Sequence, residues 1–168
     1  MITAQILCKI IQRYMSVEDD QIWIYNQRRK IPPSENLFIV VGLMSSVPYG
    51  NNSRITGDVH GLNQEISQMI QETFSINMFS YTTEAIERLP ELIGSFNSIY
   101  SQQTQSKYGM KIGFVPSSVS DTSFLEASAI LYRQTVTLRV LRAYSKISEG
   151  DYYDQFSTEV YDVSGRVN

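Results

Sequence analysis

The sequence predicts an α+β fold: a mostly antiparallel β-sheet with long strands and helices packed on one face. Three observations lead there. Two stretches, Ile66–Tyr81 and Ala127–Ser145, alternate apolar and polar residues, the pattern of a strand with one buried face. Two others, Ile2–Met15 and the segment after Thr83, carry apolar residues at helical spacing. The order helix, strands, helix, strands, with strand–helix–strand at its centre, is that of a sheet with helices on one side.

Taken in order, Ile2, Ile6, Ile10 and Tyr14, widened by Leu7 and Ile11, make the apolar stripe of a first helix. Ile22-Trp23-Ile24-Tyr25 reads as a short strand, and Pro32-Pro33 closes a polar linker. The unbroken apolar run Leu37–Met44 predicts a strand buried on both faces at the middle of the sheet. Pro48–Asn63, rich in Gly and Asn, reads as a long loop of the kind that binds something or is ordered by a partner. In the first alternating stretch Ile66, Ile70, Phe74, Ile76 and Met78 share one phase. Thr82 or Thr83 then caps a helix with Ile86, Leu89, Ile93, Phe96 and Tyr100 on one face. Pro90 inside that pattern marks a kink or the true start. Tyr108-Gly109 ends the helix, and Met110, Ile112 and Phe114 begin another strand. Pro116–Ser123 is a Ser-rich turn. In the second long stretch Ile130, Tyr132, Val136, Leu138 and Val140 alternate with Arg133, Thr135, Thr137 and Arg139. Each long stretch would span roughly 50 Å when extended at ~3.3 Å per residue, so the sheet is either extended by neighbours or carries projecting hairpin arms. The organisation expected is a core domain over 1–145 with a projecting loop over 46–63, followed by a C-terminal arm over 146–168.

At 168 residues and 42% apolar, the chain is expected to bury a core as one domain. Its net charge is −3, and the only tight charge clusters are Glu18-Asp19-Asp20 and Arg28-Arg29-Lys30. That balance argues against gripping nucleic acid by neutralising phosphates, though not against DNA passing by. One cysteine, Cys8, gives no disulfide frame and no thiolate metal site. A soluble chain from a reducing compartment is expected, since no apolar run approaches 18 residues.

Catalytic signals are sparse, and the expectation is a protein without enzymatic activity or cofactor. His60 is the only histidine; it could form a dyad with Asp58, but no nucleophile sits in an elbow-like setting, and Ser117 is in a turn. The Gly-rich segment lacks the Lys-Ser/Thr ending of a phosphate loop. Arg133 and Arg139 share one strand face, which fits contact with an acidic partner or a solvated polar surface. Asp151-Tyr152-Tyr153-Asp154-Gln155-Phe156 places three aromatics in six residues, a segment suited to docking. The candidate interface residues are therefore Pro48, Tyr49, Asn51, Asn52, Arg133, Arg139, Tyr152, Tyr153 and Phe156.

Leu37-Phe38-Ile39-Val40-Val41-Gly42-Leu43 followed by Pro48-Tyr49-Gly50-Asn51-Asn52 resembles the neck proteins of tailed bacteriophages, of the tail-terminator type. So do Glu72-Thr73-Phe74-Ser75-Ile76 leading to Thr83-Glu84-Ala85, Leu138-Arg139-Val140-Leu141 leading to Tyr144-Ser145-Lys146, and Asp151-Tyr152-Tyr153-Asp154. The resemblance covers residues 30 to 156 and rests on structural rather than catalytic motifs. It implies a virion protein forming a ring, usually a hexamer, between the head-to-tail connector and the tail tube, with the sheath a further partner in a contractile tail. DNA would pass through the lumen without specific binding. The alternatives from the same residues are a connector, collar or other tail-completion protein, a small α+β enzyme using Asp58, His60 or Ser117, and a monomeric module binding peptides at a sheet edge.

Overall fold

A computed structural model of the chain describes residues 2–25, 37–58, 61–113, 118–126 and 129–150. Helix α1 (Thr3–Met15) is followed by strands β1 (Ile22–Ile24), β2 (Phe38–Asp58) and β3 (Gly61–Ser80). Three helices come next, α2 (Glu84–Glu87), α3 (Leu89–Asn97) and α4 (Ile99–Lys107). Strands β4 (Met110–Ile112), β5 (Ser118–Asp121), β6 (Phe124–Glu126) and β7 (Ala129–Gly150) complete the described chain. The sheet runs β1-β2-β3-β7-β4, with β5 and β6 also paired to β7. Every pairing is antiparallel except β1 with β2. The fold is thus α+β and mostly antiparallel.

One face of the sheet's base carries the core. Ile39 and Val41 of β2, Phe74, Ile76 and Met78 of β3, and Val136, Leu138 and Val140 of β7 pack with Leu7, Ile10 and Ile11 of α1 and Leu92 and Phe96 of α3. Each large side chain sealed here contributes about 1.5–3 kcal/mol by leaving water. On the opposite face Trp23, Phe38 and Phe79 stack in a row, with ring centroids 5.5 and 4.9 Å apart. Residues 37–42 are therefore buried on both sides, as their apolar run predicts, but Leu43 and Met44 are exposed and β3, not β2, is the central strand.

Several expectations are corrected. Pro48–Asn63 is not a loop: residues 48–58 continue β2, and Gly61 already begins β3. Gly, Asn and Pro weaken a strand on their own, but a ladder to β3 holds this one, and register shifts at Leu43/Ser45 and Pro48/Gly50 absorb the irregular residues. The single long helix is three pieces. Pro90 sits in the first turn of α3, where its missing N–H costs nothing. Ser98, in an extended conformation, caps α4 by accepting the Ser101 N–H at 3.1 Å. The Ser-rich segment holds strand β5 over Ser118–Asp121, with Pro116 and Ser117 outside the described residues; a turn follows at Asp121–Ser123, where Asp121 Oδ1 accepts the Ser123 N–H at 2.9 Å. These Ser123 hydrogen bonds hold the Asp121 carboxyl below its ordinary range. Strand β7 runs unbroken to Gly150, and residues 151–168 of the expected C-terminal arm lie outside the described residues.

Candidate interaction surface

Beyond the core, β2, β3 and β7 continue together as a three-stranded arm. The ladders extend from Ser45–Thr73–Arg139 to Gly57–Leu62–Gly150, about 40 Å at ~3.3 Å per residue. The outer strands are exposed along the arm from residue 43 to 49, from 51 to 56 and from 143 to 147, while β3 between them is half-buried from 64 to 71 except at the exposed Met69. Large apolar side chains stand in water here, among them Val47, Tyr49, Tyr144, Ile55 at 66% exposure and Ile147 at 67%.

Among the described residues no further strand pairs with the arm on its β2 side, or on its β7 side past Arg142. On the β2 side, β1 covers only Ile39–Val41. On the β7 side, β6, β5 and β4 cover residues 129 to 142, and nothing described follows. Backbone direction is fixed by observed bonds. The Arg139 carbonyl accepts the Gly113 N–H at 2.8 Å and the Arg133 carbonyl accepts the Thr122 N–H at 2.9 Å. Odd-numbered β7 residues therefore point their backbone groups away from β3, and along the arm these are Ala143, Ser145, Ile147 and Glu149. On β2 the Val41 carbonyl accepts the Tyr25 N–H at 2.9 Å. Carrying the register through both shifts, Pro48, Asn51, Ser53, Ile55 and Gly57 face outward. Pro48 thus occupies an edge position where no ladder bond to β3 is lost.

Two polar clusters join β3 to β7, one at the base of the arm and one in the body. On the core face, Glu72 is 8% exposed, accepts the Thr3 hydroxyl at the first turn of α1 and lies 3.6 Å from Arg142 Nε. On the other face, Arg133 donates to Asn77 Oδ1 through Nε at 3.1 Å and Nη2 at 2.8 Å, and the Thr135 hydroxyl donates to the same oxygen at 2.9 Å. The guanidinium also lies 5.1 Å from the Phe79 ring centroid, extending the Trp23–Phe38–Phe79 row onto β7.

The structure spreads the sequence-derived candidates along one sheet rather than gathering them. Pro48, Tyr49, Asn51 and Asn52 are exposed on β2 at the start of the distal arm, Tyr49 standing at a register shift. Arg139 is exposed opposite Thr73 near the arm's base. Arg133 lies in the body, opposite Phe79, with its guanidinium engaged within the subunit. Tyr152, Tyr153 and Phe156 lie outside the described residues, as do His60 and Ser117. The outer edge of β7 and the Glu72–Arg142 pair are the features the sequence reading missed. A signal existed for the second: Glu72 falls in the apolar phase of its strand.

Elsewhere the surface has a groove of about 330 Å³ between α1 and β1, lined by Gln5, Cys8, Lys9, Gln12 and Trp23. Burial pushes the Cys8 thiol up to about 11, which leaves it protonated and unreactive at neutral pH. Among the described residues no group of three or more His, Cys, Asp or Glu side chains could hold a metal ion, and no helix is long and apolar enough to cross a membrane. No protein-family model matches this chain, and no curated protein matches it.

Proposed function

We propose that this protein is a ring-forming neck component of a tailed bacteriophage, of the tail-terminator type, that works by assembly and not by catalysis. In this role six copies end the tail tube, join the tail to the head-to-tail connector and leave an axial passage for DNA. The observation that carries the reading is the three-stranded arm. Its body has a sealed core of its own, whereas the arm exposes apolar side chains, and among the described residues no further strand pairs with it on the β2 side or, past Arg142, on the β7 side. A thin sheet wet on both faces gains little from its own packing and becomes stable when a partner covers it. Exposed edges are normally blunted by Pro, Lys or bulges. Here such devices crowd residues 44 to 49 of β2, with a single lysine, Lys146, on the facing length of β7.

Deletion of the gene in the phage tests the reading. Filled heads and separate tails of irregular length are expected, with an epitope-tagged copy labelling the head–tail junction in normal particles. Intact infectious particles without the protein, or a tag that labels the capsid or the distal tail tip, would overturn it.

A further inference from the structure

The two open edges match, and this points to how one copy joins the next. The β7 edge opens after Arg142, where β4 stops; the β2 edge becomes regular at Gly50, after its second register shift. These two positions belong to the same row, Gly50–Met69–Ala143. From there to Gly57–Leu62–Gly150 the arm consists of eight regular rows of three residues, and among the described residues no further strand pairs with either side of them.

We infer that a second copy of this chain occupies these edges, with Gly50–Gly57 of one copy adding in parallel to Ala143–Gly150 of the next. Strand direction selects this arrangement. Both β2 and β7 run antiparallel to β3, so they are parallel to each other. Rotation about an axis along the arm keeps that direction and brings β2 of one copy beside β7 of its neighbour. A twofold axis would instead pair β7 with β7 and leave every β2 edge bare. Only the head-to-tail interface satisfies both edges with a single contact, and such an interface gives a ring when its rotation closes. The outward groups are in place: Asn51, Ser53, Ile55 and Gly57 on one side face Ala143, Ser145, Ile147 and Glu149 on the other. The residues of both edges whose exposure is described are exposed from 51 to 56 and from 143 to 147. The inference rests on the ring proposed above and adds its closure. Three strands from each of six copies would form a barrel of roughly eighteen, a size that encloses an aqueous channel.

Cross-linking tests it with the full-length chain in a Cys8→Ser background. A subunit carrying both Asn52→Cys and Ser145→Cys, which share the row Asn52–Ser67–Ser145 and so one face of the sheet, treated with a short bis-maleimide, is expected to give a covalent ladder up to the ring. Either substitution alone is expected to give no dimer, because each edge meets the other kind. Ser145→Pro removes an N–H that faces the open edge and leaves the bonds to β3 in place. It is expected to melt within a few degrees of the parent and to lose assembly. An oligomer in native mass spectrometry that yields no ladder, or that persists with Ser145→Pro, overturns the edge pairing and leaves the ring standing. Dimers from Ser145→Cys alone overturn it in favour of twofold pairing. A parent that stays monomeric, both free and with purified tails, overturns the pairing and the ring together.

Discussion

Glu72 of β3 and Arg142 of β7 face each other where the arm leaves the body, with Arg142 Nε 3.6 Å from Glu72 Oε1. They stand on diagonal positions, since Glu72 is in register with Val140 and Ile70 with Arg142. The Glu72 carboxylate also takes the Thr3 hydroxyl at the start of α1, where the helix N-terminus favours a negative charge. Helix, central strand and outer strand are joined at one carboxylate. Arg142 Nε is buried and accepted by nothing at hydrogen-bond distance, so the pair is held by charge and depends on both members.

Glu72→Ala is therefore expected to destabilise the subunit by about 2–3 kcal/mol in urea unfolding, because it leaves a half-buried guanidinium without its anion. Glu72→Ala combined with Arg142→Met is expected to cost less than the sum of the two single changes. Additive losses would show that the pair is not coupled.

Asn77 takes three donors on one oxygen, two from Arg133 and one from Thr135. Arg133→Lys keeps the charge but loses the planar fork over Phe79, and is expected to cost about 1–2 kcal/mol. Asn77→Ala is expected to fall in the same range, by the same unfolding measurement. A Lys variant as stable as the parent would mean that charge alone suffices there.

Core and arm are expected to respond in opposite ways. Phe74→Ala opens a cavity beneath α1 and α3 and is expected to cost about 3–5 kcal/mol. Ile55→Ser and Ile147→Ser touch exposed arm positions and are expected to move subunit stability by less than about 0.5 kcal/mol. The same two variants are expected to weaken assembly in sedimentation experiments. Loss of subunit stability from either Ser variant would place these side chains in an intramolecular contact.

Cys8 gives a pH dependence with a definite sign. Burial raises its thiol from 9.0 to about 11, so the folded chain holds a proton that the unfolded chain releases. The associated stability is fully present below pH 9 and is lost as the pH rises through about 11. Comparison of the parent with Cys8→Ala between these values should show a steeper fall for the parent. Thiol labelling of the folded protein at pH 8 should be slower than that of a free cysteine. Equal slopes and equal labelling rates would contradict the burial.

Much of this architecture could be read from the chain. Alternation located β3 and β7 because half-buried strands advertise their phase, and Pro90 offered a kink or a start, of which the structure shows the start of α3, since a proline fits a first turn. Pro48–Asp58 could not be read the same way. Its strand character comes from the ladder to β3 rather than from Gly50, Asn51 or Asn52, and that pairing is a tertiary fact. The break at Ser98 was hidden for a related reason: Ile99 and Tyr100 continue an apolar pattern across a cap that only Ser101 reveals. As for the arm's edges, side-chain patterning reports faces, not which backbone groups lack a partner. Arg133 and Arg139 shared a predicted face, but facing alone did not say that one would be spent on Asn77.

Strand β7 receives β3 along one side and β4, β5 and β6 along the other, and this bears on how the protein is made. Chain synthesis reaches Ser80 about 50 residues before Ala129, several seconds at a ribosomal rate of roughly 5–20 residues per second. During that interval the β2–β3 hairpin can form, yet β3 offers its entire second edge to any passing strand. Four partners wait on the last strand described, so the contacts that close the sheet are non-local and slow. Newborn subunits crowded on one messenger would meet each other's bare hairpins before their own β7 arrives. Yield on expression should then depend on translation rate and temperature more than on the stability of the finished subunit.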